Sequence, residues 1–341
     1  MTPWLANITA FVLLFCVTAY SVAGGVDYGA GIWDLLAGRG TQAERVRALI
    51  DHAMAPVWEA NNVWLVLSIV ICWTGFPLLF ASVFESLYPL FAIALLGVIL
   101  RGSFFAFRHV AEGPLPQRRM SVVFGISSLL TPFCFAASLG AIASGRVAVG
   151  GPTTSVLAVC FSPLSVCFGL VSVAATAFSG ASFLVGDARR YRMPELVEYF
   201  RRRAIIAGGV LILIGSLALA VAGFQSPSFL RAMFTGPGAA FAVVTIVLTP
   251  VIAWLLLRRV FRAYRVLTVV VVASLVLAWG LAQSPYLLPG ALTVAQAAAP
   301  LPTQVLLLVV TLSVLFLILP SLALLLYLDQ RNILESSQDG H

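Results

Sequence analysis

Nine apolar runs dominate this chain and leave few folds open to it. They cover approximately residues 5–37, 57–80, 86–107, 120–143, 154–185, 204–224, 237–258, 265–283 and 303–328. About 20 consecutive apolar residues suffice to cross the hydrocarbon core as a helix. The backbone inside a bilayer must satisfy its own hydrogen bonds, so runs of this length read as helices. The first, fifth and ninth exceed the need and imply tilt or extension beyond the membrane. Short loops separate the runs, and none has room for a soluble domain. Only 10% of the residues are charged, against about 25% in a soluble domain. The expected fold is an all-α polytopic membrane protein with nine transmembrane helices. A weak two-half organisation suggests a four-helix unit over 1–146, a second over 147–285, and a ninth helix with a tail over 286–341.

The formal charge of +7 comes with 20 basic residues, every one an arginine. They sit in short loops between runs, which excludes a nucleic-acid partner. Seventeen lie in segments following the first, third, fifth, seventh and ninth runs, whereas only Arg146 and Arg231 lie on the other side. The positive-inside bias then puts the N-terminus outside and the C-terminus in the cytoplasm. No basic residue precedes the first run and no cleavage site is apparent, so that run is expected to be a retained span. Between the first two runs, Thr41 and Glu44 have the spacing of a capping box. Val46, Leu49, Ile50, Ala53 and Met54 then repeat at helical spacing, which predicts a short amphipathic helix at the cytoplasmic surface. Pro77, Pro132, Pro163, Pro250 and Pro320 fall inside runs and predict kinks.

Five cysteines lie in apolar runs with no CxxC pair and read as small hydrophobes. His52, His109 and His341 are in or beside loops, and the methionines lie near run ends. Neither set offers the inward-facing mid-helix ligands that an intramembrane haem requires. The chain is therefore expected to bind no haem or metal by itself.

Intramembrane charge costs about 2.5–3.5 kcal/mol on insertion scales and marks function by default. Asp27, Glu59 and Arg101 are the candidates, all in the first three runs; Glu85 reads as a solvated residue at the outer edge. Helix rise puts Asp27 roughly 18 Å from Arg39, and Arg101 roughly 10 Å from Arg108, on the same side. Asp27 lies in "GGVDYGAG" (24–31), where four glycines weaken a helix but admit close neighbours. That stretch reads as a packing face, or as the seat of an acid that must be paired, hydrogen-bonded or protonated. Glu59, Asn61 and Asn62 open the second run. Glu59 reads equally as a proton inlet or as a carboxylate favoured at a helix start. Trp58 suits an interfacial anchor and shares a helix face with Asn62, as Ala60 does with Trp64.

These segments carry a resemblance. "GGVDYGAGIWDLLAGR", "APVWEANNVWLV", "LRGSFFAFRH" (100–109), "SSLLTPF", "SPYLLPGALTVAQAAAP" (284–300) and "LPSLALLLY" resemble motifs of subunit II of cytochrome bd-type quinol oxidases, including the cyanide-insensitive branch. The resemblance covers nearly the whole chain. It implies two four-helix units plus one helix, in the bacterial cytoplasmic membrane. It also implies a pseudo-symmetric heterodimer with a homologous subunit I that holds two b-type haems, one d-type haem and the quinol site. The complex would oxidise quinol and reduce oxygen to water electrogenically. Membrane lipids surround it, and the resemblance leaves room for small single-helix subunits and a structural quinone or lipid. Glu59 stands at the family's proton-channel acid, with Asp27, Asn61 and Asn62 as further path residues and Trp58, Trp64, Arg101 and Arg108 in support. Glu59 replaces the commoner Asp, Ala60 replaces Gly, and Ala106 stands where an acid is often found. A rival reading is a stand-alone proton-coupled secondary transporter, since glycine-rich helices and an intramembrane acid suit that class as well. A third is a purely structural subunit, in which the acids fix helix register by pairing with Arg101.

Overall fold

The computed structural model describes residues 3–54, 58–108, 114–260 and 263–330. Helix α1 spans Pro3–Leu36, α2 Thr41–Met54, α3 Trp58–Gly75, α4 Pro77–Arg108 and α5 Pro114–Ala143. The short α6 (Val156–Cys160) precedes α7 (Pro163–Arg190) and α8 (Pro194–Gln225). Then follow α9 (Pro227–Thr235), α10 (Ala239–Leu257) and α11 (Tyr264–Ala282). A small antiparallel hairpin, β1 (Tyr286–Leu288) and β2 (Leu292–Thr293), leads through α12 (Val294–Ala297) to α13 (Leu301–Gln330). Among the described residues, eight helices are long and apolar enough to cross a membrane, and Asn61–Gly75 of α3 is a shorter apolar helix.

Two apolar runs divide differently from their hydropathy. The second ends at Gly75, and Pro77 opens α4 instead of kinking α3. Proline needs no N–H partner in a first helical turn and biases the residue before it away from helix. Pro163 acts likewise: Ser162 caps α7, its hydroxyl accepting from the Ser165 N–H at 3.3 Å. Pro132, Pro250 and Pro320 do lie inside helices. The marked kink falls elsewhere, at Leu87 (φ −122°, ψ 16°) in α4, two residues before Pro89. The Pro89 ring excludes the preceding turn's carbonyl, which accounts for the bend.

Helix α2 forms where its apolar periodicity predicts, and Val46, Leu49 and Ile50 are buried against α1, α7 and α8. The expected Thr41 cap is not used. The Glu44 N–H donates instead to the Gly40 carbonyl at 3.1 Å, which starts the helix one residue earlier in register.

α1 is central and packs on α3, α5, α7 and α11. Its tightest approach is to α7. A Cβ on Gly29 would fall 2.8 Å from Gly180 Cα, and one on Gly180 would fall 2.6 Å from Gly29 Cα. One turn on, Trp33 Nε1 donates to the Ala177 carbonyl at 2.8 Å. Backbone cannot step aside as a side chain can, so Gly29→Ala should cost about 1–3 kcal/mol through overpacking. A thermal scan of the solubilised protein checks this: Gly29→Ala should melt several degrees lower, whereas Gly209→Ala, with nothing within 4 Å of its added methyl, should not.

Large apolar side chains such as Leu213, Leu217, Val247, Leu306 and Phe316 point outward. An apolar exterior of this kind suits lipid in place of water. The ionic contacts gather at one end of the bundle: Arg45–Glu195, Arg47–Asp34, Arg202–Glu198 and Arg265–Asp187. The hairpin lies at the other end with Arg146, and there the Ser226 hydroxyl donates to the Ala143 carbonyl at 3.0 Å.

Candidate functional site: a buried acid–guanidinium cluster

Asp27 of α1 and Arg101 of α4 meet inside the bundle, 2% and 6% exposed respectively. Arg101 donates from both terminal nitrogens to the two carboxylate oxygens, at 2.5 and 2.6 Å. One of those nitrogens also donates to the Asp27 carbonyl at 2.9 Å, and Nε donates to the Ser128 hydroxyl of α5 at 3.1 Å. The guanidinium carbon lies 4.7 Å from the Tyr28 ring centre and 4.8 Å from that of Phe124. Each feature offsets part of the several kcal/mol that desolvating each ion costs. The forked, charge-assisted pair satisfies the carboxylate, and the ring faces attract the cation. Three helices thereby converge on one side chain.

The glycines of "GGVDYGAG" make this convergence possible. A Cβ on Gly31 would collide with the Ser128 side chain, displacing the hydroxyl that receives Arg101. A Cβ on Gly24 would lie 3.0 Å from Asn61 Nδ2. Asn61 of α3 thus lies against α1 one turn before Tyr28. It is 2% exposed, and its Oδ1 has no hydrogen-bond partner among the described residues. Tyr28 continues the polar patch: its hydroxyl meets that of Tyr20 at 2.8 Å, and the Tyr20 ring stands edge-on to Phe135. Tyr20, Gly24 and Tyr28, with Ser21, Ser68 and Cys72, line one part of a largely apolar cavity of about 1130 Å³.

Of the residues expected to carry function, the structure brings Asp27, Arg101 and Asn61 into one neighbourhood. Asn62 is half-buried on the same helix as Asn61. Trp64 is buried, its ring edge-on to Phe15 at 5.8 Å. The side chains of Trp58, Glu59 and Arg108 lie outside the described residues, as does that of Ala106. Sequence reasoning missed Tyr20, Tyr28, Phe124 and Ser128. It also missed Asp34, which is fully buried and accepts from Arg47 Nε at 2.8 Å. Arg47 also donates to the Gly38 carbonyl at 2.9 Å, fastening α2 to the end of α1. The signal was present in the spacing: Asp34 is two turns beyond Asp27 on the same face of α1.

All five cysteines are free thiols, and no group of three or more potential metal-ligating side chains gathers among the described residues.

Long apolar helices wrapped around a buried, hydrogen-bonded ion pair define a multi-pass membrane protein. A sequence model of the family described as "Cytochrome bd terminal oxidase subunit II" matches residues 5–328, and the chain belongs to that family. It is 23% identical over 210 residues to the "Cytochrome bd-I ubiquinol oxidase subunit 2" of Escherichia coli K12, covering 59% of this chain and 52% of that protein. It is 29% identical over 109 residues to the "Cytochrome bd ubiquinol oxidase subunit 2" of Bacillus subtilis, covering 32% of this chain and 31% of that protein. The matched stretches thus span about half and about a third of those curated relatives. The fold superposes on a chain of the bd oxidase structure from Geobacillus thermodenitrificans with a TM-score of 0.80 and 26% identity, over 96% of this chain and 98% of the other.

Proposed function

We propose that this chain is the haem-free subunit of a quinol:oxygen oxidoreductase, bracing a homologous haem-bearing subunit I and lining a proton path for reduction of oxygen to water. The observation that carries this reading is the family match across residues 5–328, in a fold shared with the Geobacillus bd oxidase chain. The two b-type haems, the d-type haem and the quinol site belong to the partner in this reading. The arginine-rich end of the bundle faces the cytoplasm of a bacterium, with the N-terminus outside.

Within this chain the polar residues divide by what their contacts allow. Arg101 occupies both oxygens of Asp27. The same guanidinium also holds the Asp27 carbonyl and the Ser128 hydroxyl, so Asp27 serves as a fixed brace joining α1, α4 and α5. Glu59, near the start of α3, is the proton inlet. Asn61 and Asn62 follow it within one turn, and the Asn61 Oδ1, without a hydrogen-bond partner among the described residues, offers an acceptor for water along the way. Carboxamides hold water without trapping a charge, which suits a path that must release what it receives. The oxidase complex would supply the driving reaction; this chain supplies the route. Neither the fold nor the relatives favour the stand-alone transporter.

The test is to purify an affinity-tagged chain from its own membrane and record a reduced-minus-oxidised spectrum with quinol-driven oxygen uptake. Co-purification of a haem-bearing polypeptide with both signals is expected. A colourless preparation of this chain alone, inactive with quinol, would overturn the reading.

A further inference from the structure

Helices α7 and α10 end in the same unusual way. After α7, Arg192 takes a left-handed conformation (φ 56°), and after α10, Arg259 does so (φ 57°). The Met193 N–H donates back to the Ala188 carbonyl at 2.8 Å and that of Arg192 to Arg189 at 3.1 Å. In α10 the matching bonds run from Val260 to Leu255 at 2.9 Å and from Arg259 to Leu256 at 3.2 Å. In this paired-bond ending glycine is the low-cost residue at the left-handed position. Arginine stands there both times. Cations are favoured at helix C-termini, but Arg189 and Arg190 already occupy the last turn of α7 and Arg258 caps α10. The dipole needs no further cation at the one position whose backbone disfavours a side chain. Strain retained in this way points to a use for the side chain.

Both arginines line one cleft of about 600 Å³, together with Arg189, Met193, Val197 and Glu198. Glu198, the carboxylate in that lining, is already engaged by Arg201 at 2.7 and 2.9 Å and by Arg202 at 2.9 Å, while the Arg259 head lies 3.6 Å away. The cleft therefore carries a surplus of positive charge. Trp254, Leu257 and Val260 are exposed along the end of α10, just before and after the Arg259 that lines the cleft, and Met193 of the lining is exposed after α7. Arg258 sits over the Trp254 ring at 5.8 Å, the tryptophan-and-cation arrangement of a membrane interface. A basic cleft at the ends of two long apolar helices, with exposed apolar side chains on the same helix end, has the chemistry of an anionic headgroup site.

We propose that this cleft binds an anionic phospholipid, its phosphodiester held by Arg192 and Arg259 and its acyl chains lying along the outer face of α10. The proposal is independent of the oxidase reading, because any fold that keeps these two helix endings keeps the cleft.

Delipidated complex, purified with its full chain, is titrated with phosphatidylglycerol or phosphatidylcholine and bound lipid is counted by native mass spectrometry. Arg192→Gly/Arg259→Gly is the informative variant, since glycine suits both backbones and the fold is kept. Wild type should retain phosphatidylglycerol in preference to phosphatidylcholine, and the double variant should bind it about thirtyfold more weakly. Arg192→Lys/Arg259→Lys should stay within a few-fold of wild type, because the charge remains. Equal binding by the glycine variant would overturn the proposal, as would a wild type that does not distinguish the two lipids. Displacement of the lipid by inorganic phosphate would overturn it too, by assigning the cleft to the free anion.

Discussion

Arg101→Ala should unfold or misassemble this protein more readily than any other single truncation in the bundle. Removing one partner from a buried ion pair leaves the other charge uncompensated, at a cost of about 3–5 kcal/mol. Here the loss extends further, because Arg101 also holds the Asp27 carbonyl and the Ser128 hydroxyl. The expected result is a sharp fall in folded yield and a melting transition lowered by several degrees or more. Arg101→Lys should fall between, since an ammonium cannot serve both oxygens and Ser128 in one plane. The decisive comparison is the double variant Asp27→Leu/Arg101→Leu. Replacing both ions with apolar side chains is often neutral or better, so the pair should recover most of the stability that Arg101→Ala loses. If Arg101→Ala melts like the parent protein, the pair does not hold α1, α4 and α5 together.

The parts of this structure that were legible beforehand are those governed by hydropathy. Long apolar runs announce helices because a bilayer permits little else. The α2 periodicity announced its buried face, although not that this face would meet protein on three sides. The breaks were hidden. An apolar run with a proline inside it reads the same whether the proline kinks one helix or opens the next, and Pro77 and Pro163 open helices while Pro89 accompanies the bend. Asp27 and Arg101 were visible as costly charges, and pairing between them was one option among several. What turned the option into geometry was the residues beside them. Ser128 reads as a small polar residue in an apolar run until Gly31 allows it close to α1. Tyr20 and Tyr28 look like ordinary bundle aromatics until the turn of α1 brings their hydroxyls together. Asp34 adjoins the short loop that carries Arg39, where a solvated acid is the ordinary expectation; Arg47 and the packing of α2 make it otherwise. Long-range partners of this kind depend on which helices touch, and hydropathy carries no information about that.

The largest functional effect is expected at Glu59. Glu59→Gln keeps the side chain's length and its capacity to hydrogen-bond near the start of α3, and it removes only the ability to take up and release a proton. If Glu59 is the inlet, the assembled complex should keep its haem content and lose oxygen uptake by about a hundredfold, the lower end of what positioned proton transfer contributes. Glu59→Asp should retain most of the turnover, because the carboxylate stays and only one methylene of reach is lost. The rival account, a carboxylate favoured by the helix dipole, predicts a different pattern. It makes Glu59→Gln a stability variant worth about 0.3–1 kcal/mol, with turnover unchanged. Oxygen uptake and melting temperature measured on the same assembled preparation separate the two, since each account moves one reading and leaves the other still. Arg101→Ala serves as the internal contrast: it should lower melting and yield together, and whatever complex survives should turn over at a rate set by intact Glu59. Unchanged turnover in Glu59→Gln complex with full haem would remove the inlet from this chain and leave it the bracing role of the Asp27–Arg101 pair.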